Sequence, residues 1–170
     1  MVSYAPDRQN QNFTHMYSFV DYRGVKEYIP SPGTVYDMIY KNSEFSKFRQ
    51  LIDRANMKIM LDKPELDSTI IICKNKDFTL DIDSLDIGSA RQILNCCILN
   101  KKINKFLLKS TPVAYYYTRN PEMRLYITNI SDITTINNCY NITDFDLICN
   151  NGIIHITSGL ILPSQEHFMN

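Results

Sequence analysis

From residue 34 onward, apolar positions fall first into helical stripes and later into strand-like alternation. Val35, Met38 and Ile39 recur at helical spacing, and Thr34 with Asp37 has the form of a capping box, so a helix is expected to begin near Thr34. Phe45, Phe48, Ile52 and Ala55, with Leu51 beside them, mark a second helix after Ser43. Asn56 follows the last periodic residue, where a left-handed residue commonly ends a helix. Met57, Ile59, Met60 and Leu61 continue a short apolar turn that Pro64 breaks. Residues 1–33 carry neither period. They hold Pro6, Pro30 and Pro32 and the aromatics Tyr4, Phe13, Tyr17, Phe19, Tyr22 and Tyr28, and read as a partly flexible arm able to lie on a surface, its own or a partner's.

The run from Thr69 to Cys73 is compact and β-branched, as a buried strand should be. Phe78 and Leu80 return to the core after a polar turn. Ser89 with Gln92 has capping-box spacing and predicts a helix through Ile93, Leu94, Cys97 and Ile98. After Pro112 the period changes. Val113–Tyr117 reads as a strand, and Met123, Leu125 and Ile127 alternate with Arg124, Tyr126 and Thr128. Further strands are expected around Asp132–Ile136, Asn141–Cys149 and Gly152–Leu162. Helices precede strands, which points to α+β layering rather than a doubly wound sheet.

Bulk properties narrow the possibilities. The 170 residues suit one domain, and 44% apolar with 21% charged residues is ordinary for a globular chain. Eighteen basic residues balance eighteen acidic ones, so charge gives no footprint for nucleic acid. The densest basic stretch, Lys101, Lys102, Lys105 and Lys109, reads as a solvated face. No run approaches the roughly 20 apolar residues needed to span a bilayer. The opening residues lack the apolar core of a secretory signal. The expected place is therefore the cytoplasm or a virion, or else the chain is a mature form cut from something longer. In that setting Asn12, Asn129 and Asn141, each in a glycosylation triplet, would stay unmodified. The abundance of Ile, Asn and Lys suggests an AT-rich coding source.

Candidate chemistry is sparse. Cys73, Cys96, Cys97, Cys139 and Cys149 are odd in number and never spaced C-x-x-C, so reduced, buried thiols are expected. Asp81, Asp83 and Asp86 do not form a calcium loop, because Asp86 and Gln92 stand where such a loop needs Gly and Glu. Local capping is expected of them instead. His155 lies in an alternating strand, and the other histidines, His15 and His167, sit in terminal segments. A structural histidine bonded to nearby backbone is expected, rather than a ligand or the partner of a Cys97 or Cys149 nucleophile. Asn151-Gly152 is a tight-turn dipeptide whose two residues accept positive φ.

Three ordered stretches carry a family resemblance. Asn151-Gly152-Ile153-Ile154-His155-Ile156, followed by Gly159-Leu160-Ile161-Leu162-Pro163, is similar to the second conserved box of fasciclin domains. Ser68 through Phe78 resembles the first box through Thr69, Ile70, Ile71, Asn75 and Phe78. Phe45 through Ala55 resembles the opening helical pattern. Cys73 replaces the family's proline, Ile72 its small alanine, and Thr157-Ser158 its Ile-Asp. Cys96-Cys97 stands where the family has a Tyr-His pair tied to packing and, in some members, to adhesive contacts, which argues against integrin-type adhesion.

The resemblance implies an α+β wedge of two short β-sheets with helices packed along one side. It spans residues 34–163, between the arm of residues 1–33 and a tail of residues 164–170. It also implies a non-enzymatic protein–protein interaction or adhesion-type module, with no catalytic residue, metal or cofactor and a protein partner. Thr69, Asn75, Phe78, Asn151, Gly152, His155 and Pro163 become structural motif residues. Asp146 and Leu147 become the candidate partner-binding pair; as a bland alternative, Leu147 is core and Asp146 a turn residue. A second expected role is that of a minor structural component of a virus particle or other large assembly, anchored through the arm.

Overall fold

The computed structural model describes residues 19–20 and 26–163, in two compact units, Met1–Pro32 and Gly33–Asn170. In the first unit, β1 (Phe19–Val20) pairs antiparallel with β2 (Lys26–Glu27). Two-residue strands are too short to leave a period, which is why the sequence reads this segment as patternless. The rest of the aromatic arm before Lys26, the residues beyond Pro163, His15 and His167 lie outside the described residues.

The second unit opens with helices. The Thr34 hydroxyl accepts the Asp37 N–H (3.1 Å) and starts α1 (Val35–Tyr40). A 3-10 turn at Ser43–Phe45 leads into α2 (Ser46–Arg54). Asn56 is left-handed, φ 55°, and ends that helix before α3 (Lys58–Leu61). Then come β3 (Ser68–Ile72), α4 (Ile87–Asn95), β4 (Ile98–Leu99) and α5 (Lys105–Leu108). The last third is all strand: β5 (Val113–Tyr117), β6 (Arg124–Ile130), β7 (Ile133–Ile136), β8 (Tyr140–Cys149) and β9 (Gly152–Thr157).

The seven strands of this unit run in the order β4-β3-β9-β8-β7-β6-β5. Only β3 and β9 are parallel. Two ladders share β8: Tyr140 and Asn141 pair with β7, and the stretch from Ile142 to Cys149 pairs with β9. The edge strands then approach each other at a single bridge, Leu99 to Thr118, beside which the Arg119 N–H donates to the Ile98 carbonyl (2.9 Å). The core lies between helices and the β3–β9 pair, with Val35, Ile39, Phe48, Leu51, Ile70 and Leu94 fully buried. Phe78 meets Phe48 edge-on at 6.3 Å.

Several sequence expectations shift. The cap of α4 is Asp86, whose Oδ1 accepts the Ser89 N–H (2.7 Å), so the helix starts at Ile87 rather than at Ser89. It also stops at Asn95. Cys97 and Ile98 are not helical, and Ile98 turns into β4, which pairs with β3. An apolar run can serve either period, and here the buried strand β3 supplies the ladder. β9 ends at Thr157 and Gly159–Leu162 is irregular; Gly159 faces Tyr140 so closely that any Cβ would overlap its ring. Asp81 caps the 3-10 turn Ile82–Ser84 through the Asp83 N–H, so Asp81 and Asp86 both do local capping.

Candidate functional site

Three residues picked from the sequence converge on one loop. The Thr69 hydroxyl, fully buried on β3, donates to the Lys101 carbonyl (2.7 Å) and accepts the Ile103 N–H (2.8 Å). His155, fully buried on β9, holds the Ile103 carbonyl at Nε2 (2.7 Å) and accepts the Asp146 N–H at Nδ1 (3.1 Å). These partners fix the tautomer: Nε2 carries the hydrogen and Nδ1 is the acceptor. Asp146 completes the latch, its Oδ1 accepting the Lys105 N–H (2.8 Å) at the start of α5. The Asn104 side chain adds an N-cap by accepting the Leu107 N–H (2.9 Å).

Asp146 can do this because β8 is irregular there. The register shifts between Ile142 and Asp144 and again between Asp144 and Leu147, and Asp146 adopts φ 60°. Short polar side chains tolerate that left-handed region. The irregularity turns the Asp146 N–H inward to His155 and its carboxylate outward to α5. Phe145 packs edge-on to His155 (5.6 Å), and the Lys105 and Lys109 ammonium groups lie 5.2 and 5.4 Å from its ring centre. Lys109 also bonds the Asp132 carbonyl (3.1 Å). Of the basic stretch, Lys101, Lys102 and Lys105 are exposed and Lys109 is half-buried.

The latch fixes a surface. Asp146 is exposed, Leu147 half-buried and Ile148 62% exposed, while Phe106 on α5 is 79% exposed. The Lys105–Asp146 bond thus joins the two segments that carry this exposed phenylalanine and this exposed isoleucine. Sequence reading missed Phe106 and Ile148. The signal was present, a phenylalanine inside an otherwise lysine-rich polar stretch, but it acquires meaning only when α5 and β8 meet.

The remaining motif residues are anchors. Asn151 is buried; its Oδ1 accepts the Val35 N–H (2.8 Å), and its Nδ2 donates to the Leu61 (3.0 Å) and Lys63 (2.8 Å) carbonyls. It ties α1, α3 and the β8–β9 turn together. That turn consists of Asn150 and Asn151, and neither Asn151 nor Gly152 has positive φ, contrary to expectation. Gly152 is required for closeness instead: a Cβ would come within 2.6 Å of the Ser68 carbonyl and 2.9 Å of Val35. Asn75 caps α2 by accepting the Lys47 N–H (2.9 Å) and donates to Ser43 and Ser46. Phe78 is core, and Pro163, half-buried, is the last described residue.

The electrostatics suit a structural site. Burial lowers the pKa of His155, opposed by the Ile103 carbonyl and the Asp146 charge. Burial pushes Cys73 up to about 12, chiefly by desolvation, raises Cys149 to about 11, and raises Cys97 well above the ordinary thiol value. A thiol in that range is protonated at neutral pH and a poor nucleophile. Both His155 nitrogens are engaged by backbone groups, so neither is free to accept a thiol proton. Among the described residues, no group of three or more His, Cys, Asp or Glu is placed to hold a metal ion. Among them also, no helix is long and apolar enough to cross a membrane.

These latch and anchor residues thus sit within a single α+β unit. A family model for the fasciclin domain matches residues 43–163, and the chain belongs to that family. Among solved structures it is similar to a FAS1 domain pair from the insect cell adhesion molecule Fasciclin I, with a TM-score of 0.66 and 15% identity. The match covers 81% of this chain and 53% of that one, so the chain spans about half the length of the pair. At that identity the likeness speaks to the fold. A search of curated proteins finds no match.

Proposed function

We propose that the chain is a non-enzymatic protein–protein interaction module of the adhesion type, and that its contact surface is the β8 irregularity together with α5. The observation that carries this reading is the exposure of Phe106 and Ile148 beside Asp146. Large apolar side chains next to a charged rim are the usual anchors of a protein contact. The latch supports the reading because it holds these residues in one arrangement before any partner arrives, which lowers the ordering cost of binding. Family membership and the Fasciclin I likeness favour an adhesion-type role. Asp146 serves twice here, as a bonding partner of α5 and as part of the rim. Leu147 contributes from beneath, half-buried.

The test is cell or protein attachment to surfaces coated with the full chain, comparing wild type with Phe106→Ser/Ile148→Ser. Both positions are exposed, so the fold should survive, which circular dichroism checks. Attachment should fall by about tenfold or more, as loss of an interface anchor produces. Attachment equal to wild type would remove this surface from the reading.

A further inference from the structure

Each ring nitrogen of His155 has a backbone partner, and the two bonds respond differently to a proton. The Nε2 hydrogen meets the Ile103 carbonyl at 2.7 Å, a bond that survives when the ring becomes charged. Nδ1 accepts the Asp146 N–H at 3.1 Å, so a hydrogen arriving there would face another donor. A charged imidazole has two donors and no acceptor. The neutral ring fits this site and the charged ring does not. The residue that donates to Nδ1 is itself held in a costly conformation. Asp146 stands at φ 60° in the irregular part of β8, a region that other surroundings must enforce. Its N–H bond to His155 and its Oδ1, which accepts the Lys105 N–H (2.8 Å), are what hold it there.

The charges around the ring set the balance. From β8, the Asp146 carboxylate favours the charged ring. From α5, the Lys105 and Lys109 ammonium groups oppose it, lying 5.2 and 5.4 Å from the centre of the Phe145 ring that meets His155 edge-on. Among the described residues, β3 and the rest of β9 carry no charged side chain. In the 101–105 loop, the Lys102 ammonium turns to Asp67 (3.7 Å), and on β8 the Asp144 carboxylate is bonded by the Thr143 hydroxyl (3.1 Å). Burial outweighs the attraction of Asp146 and lowers the His155 pKa from 6.5.

We propose that His155 is a proton-operated catch on the β8–α5 surface: a proton at Nδ1 expels the Asp146 N–H, the Asp146 carboxylate turns to the charged ring and leaves the Lys105 N–H, and the start of α5 is released with Phe106. The surface then binds at neutral pH and lets go in mild acid. The sign follows from burial. The neutral ring keeps the catch shut above about pH 6.5, and it opens as pH falls through the lowered folded value. The motion stays local, because other bonds hold the segment at both ends. Thr69 keeps the Lys101 carbonyl and the Ile103 N–H, and the Asn129 Nδ2 keeps the Leu108 carbonyl (2.7 Å). The loss of binding rests on the reading of β8–α5 as the contact surface; the unlatching does not.

Amide and imidazole NMR of the full chain, titrated from neutral pH down to about pH 5, tests the proposal, with attachment measured in the same buffers. The Lys105 and Asp146 amide signals should shift together with the His155 ring, with one midpoint below 6.5. The Val35 amide, held by Asn151, should stay in place. Attachment should fall by about fivefold or more across that midpoint. His155→Gln keeps a donor for the Ile103 carbonyl but takes up no proton, so its amide signals and its attachment should be level over the range. Lys105 and Asp146 amides that stay put while His155 titrates overturn the proposal. So does a His155 that remains neutral until the Val35 signal is lost with the whole fold, or a titration that persists in His155→Gln. The wild-type titration decides the matter even if His155→Gln fails to fold. Level attachment despite the titration overturns the binding half; if Phe106→Ser/Ile148→Ser also attaches like wild type, the contact surface itself has failed.

Discussion

β3 and β5 are both five-residue strands, one reading Ser-Thr-Ile-Ile-Ile and the other Val-Ala-Tyr-Tyr-Tyr, yet they have opposite surroundings. Every residue of β3 is buried, flanked by β4 and β9 and covered by helices. β5 alternates exposed and half-buried positions along its whole length. β-propensity is similar in the two, because it reports a fit to a pleated surface and not the number of faces that surface hides. Where β3 and β9 run, a few polar side chains hold particular segments in place. Thr69 and His155 hold the 101–105 loop, and Asn151 holds α1 and α3. Around β5–β7, the twisted ladder is set by turns instead. Ser131 and Asp132 both have positive φ (51° and 66°), which suits a two-residue hairpin between Ile130 and Ile133. One half of the molecule is specified by burial, the other by turn chemistry.

This contrast can be broken at its strongest point first. Asn151→Ala should orphan the Val35 N–H and the Leu61 and Lys63 carbonyls at once. Each unsatisfied buried group costs about 1–3 kcal/mol, so a loss of roughly 3 kcal/mol or more is expected in urea unfolding. A loss under about 1 kcal/mol would mean that water or relaxation replaces the anchor.

An intermediate effect concerns pH. Burial favours neutral His155 in the folded chain and lowers its pKa below the ordinary 6.5. The unfolded chain therefore takes up that proton first as pH falls. The stability linked to this group is complete above about pH 6.5 and is lost as pH drops through the lowered folded value. Protonation also puts a hydrogen on Nδ1, where the Asp146 N–H already points. Urea midpoints measured downward from neutral pH should fall for wild type. His155→Gln should start lower at neutral pH but decline less steeply, and equal slopes would show that another group carries the effect.

The smallest change is expected on the outer ladder. Ile130 is 69% exposed beside the Ser131-Asp132 turn. Ile130→Ala should alter stability by no more than about 0.5 kcal/mol, as surface substitutions usually do. A larger loss, seen as a shifted melting midpoint, would mean that the β6–β7 hairpin depends on its cross-strand Ile130–Ile133 pair more than its exposure implies.

Local order was legible wherever side chain and backbone interact within a few residues. Thr34, Asn56, Asp81 and Asp86 act on their immediate neighbours, and residue type alone suggested caps and turns there. The alternation of β6 and the stripe of α2 were legible for the same reason, each repeating its own period. The α4–β4 boundary was not, since Cys97 and Ile98 fit a helical stripe as well as a strand and the choice fell to the β3 ladder. Gly152 was read as a turn glycine, whereas the Ser68 carbonyl and Val35, more than 80 residues away, are what exclude a side chain there.

By itself, then, the sequence determined the α+β class, the order of helices and strands and the family boxes, because these rest on periodicity and on short-range capping chemistry. Only the tertiary structure decided that Thr69, His155 and Asp146 serve one loop, that Phe106 comes to stand beside Asp146, and that the end of β5 meets β4 at the Leu99–Thr118 bridge. Each of those depends on which strands lie side by side, and strand neighbours far apart in the chain are chosen by the packing of the whole.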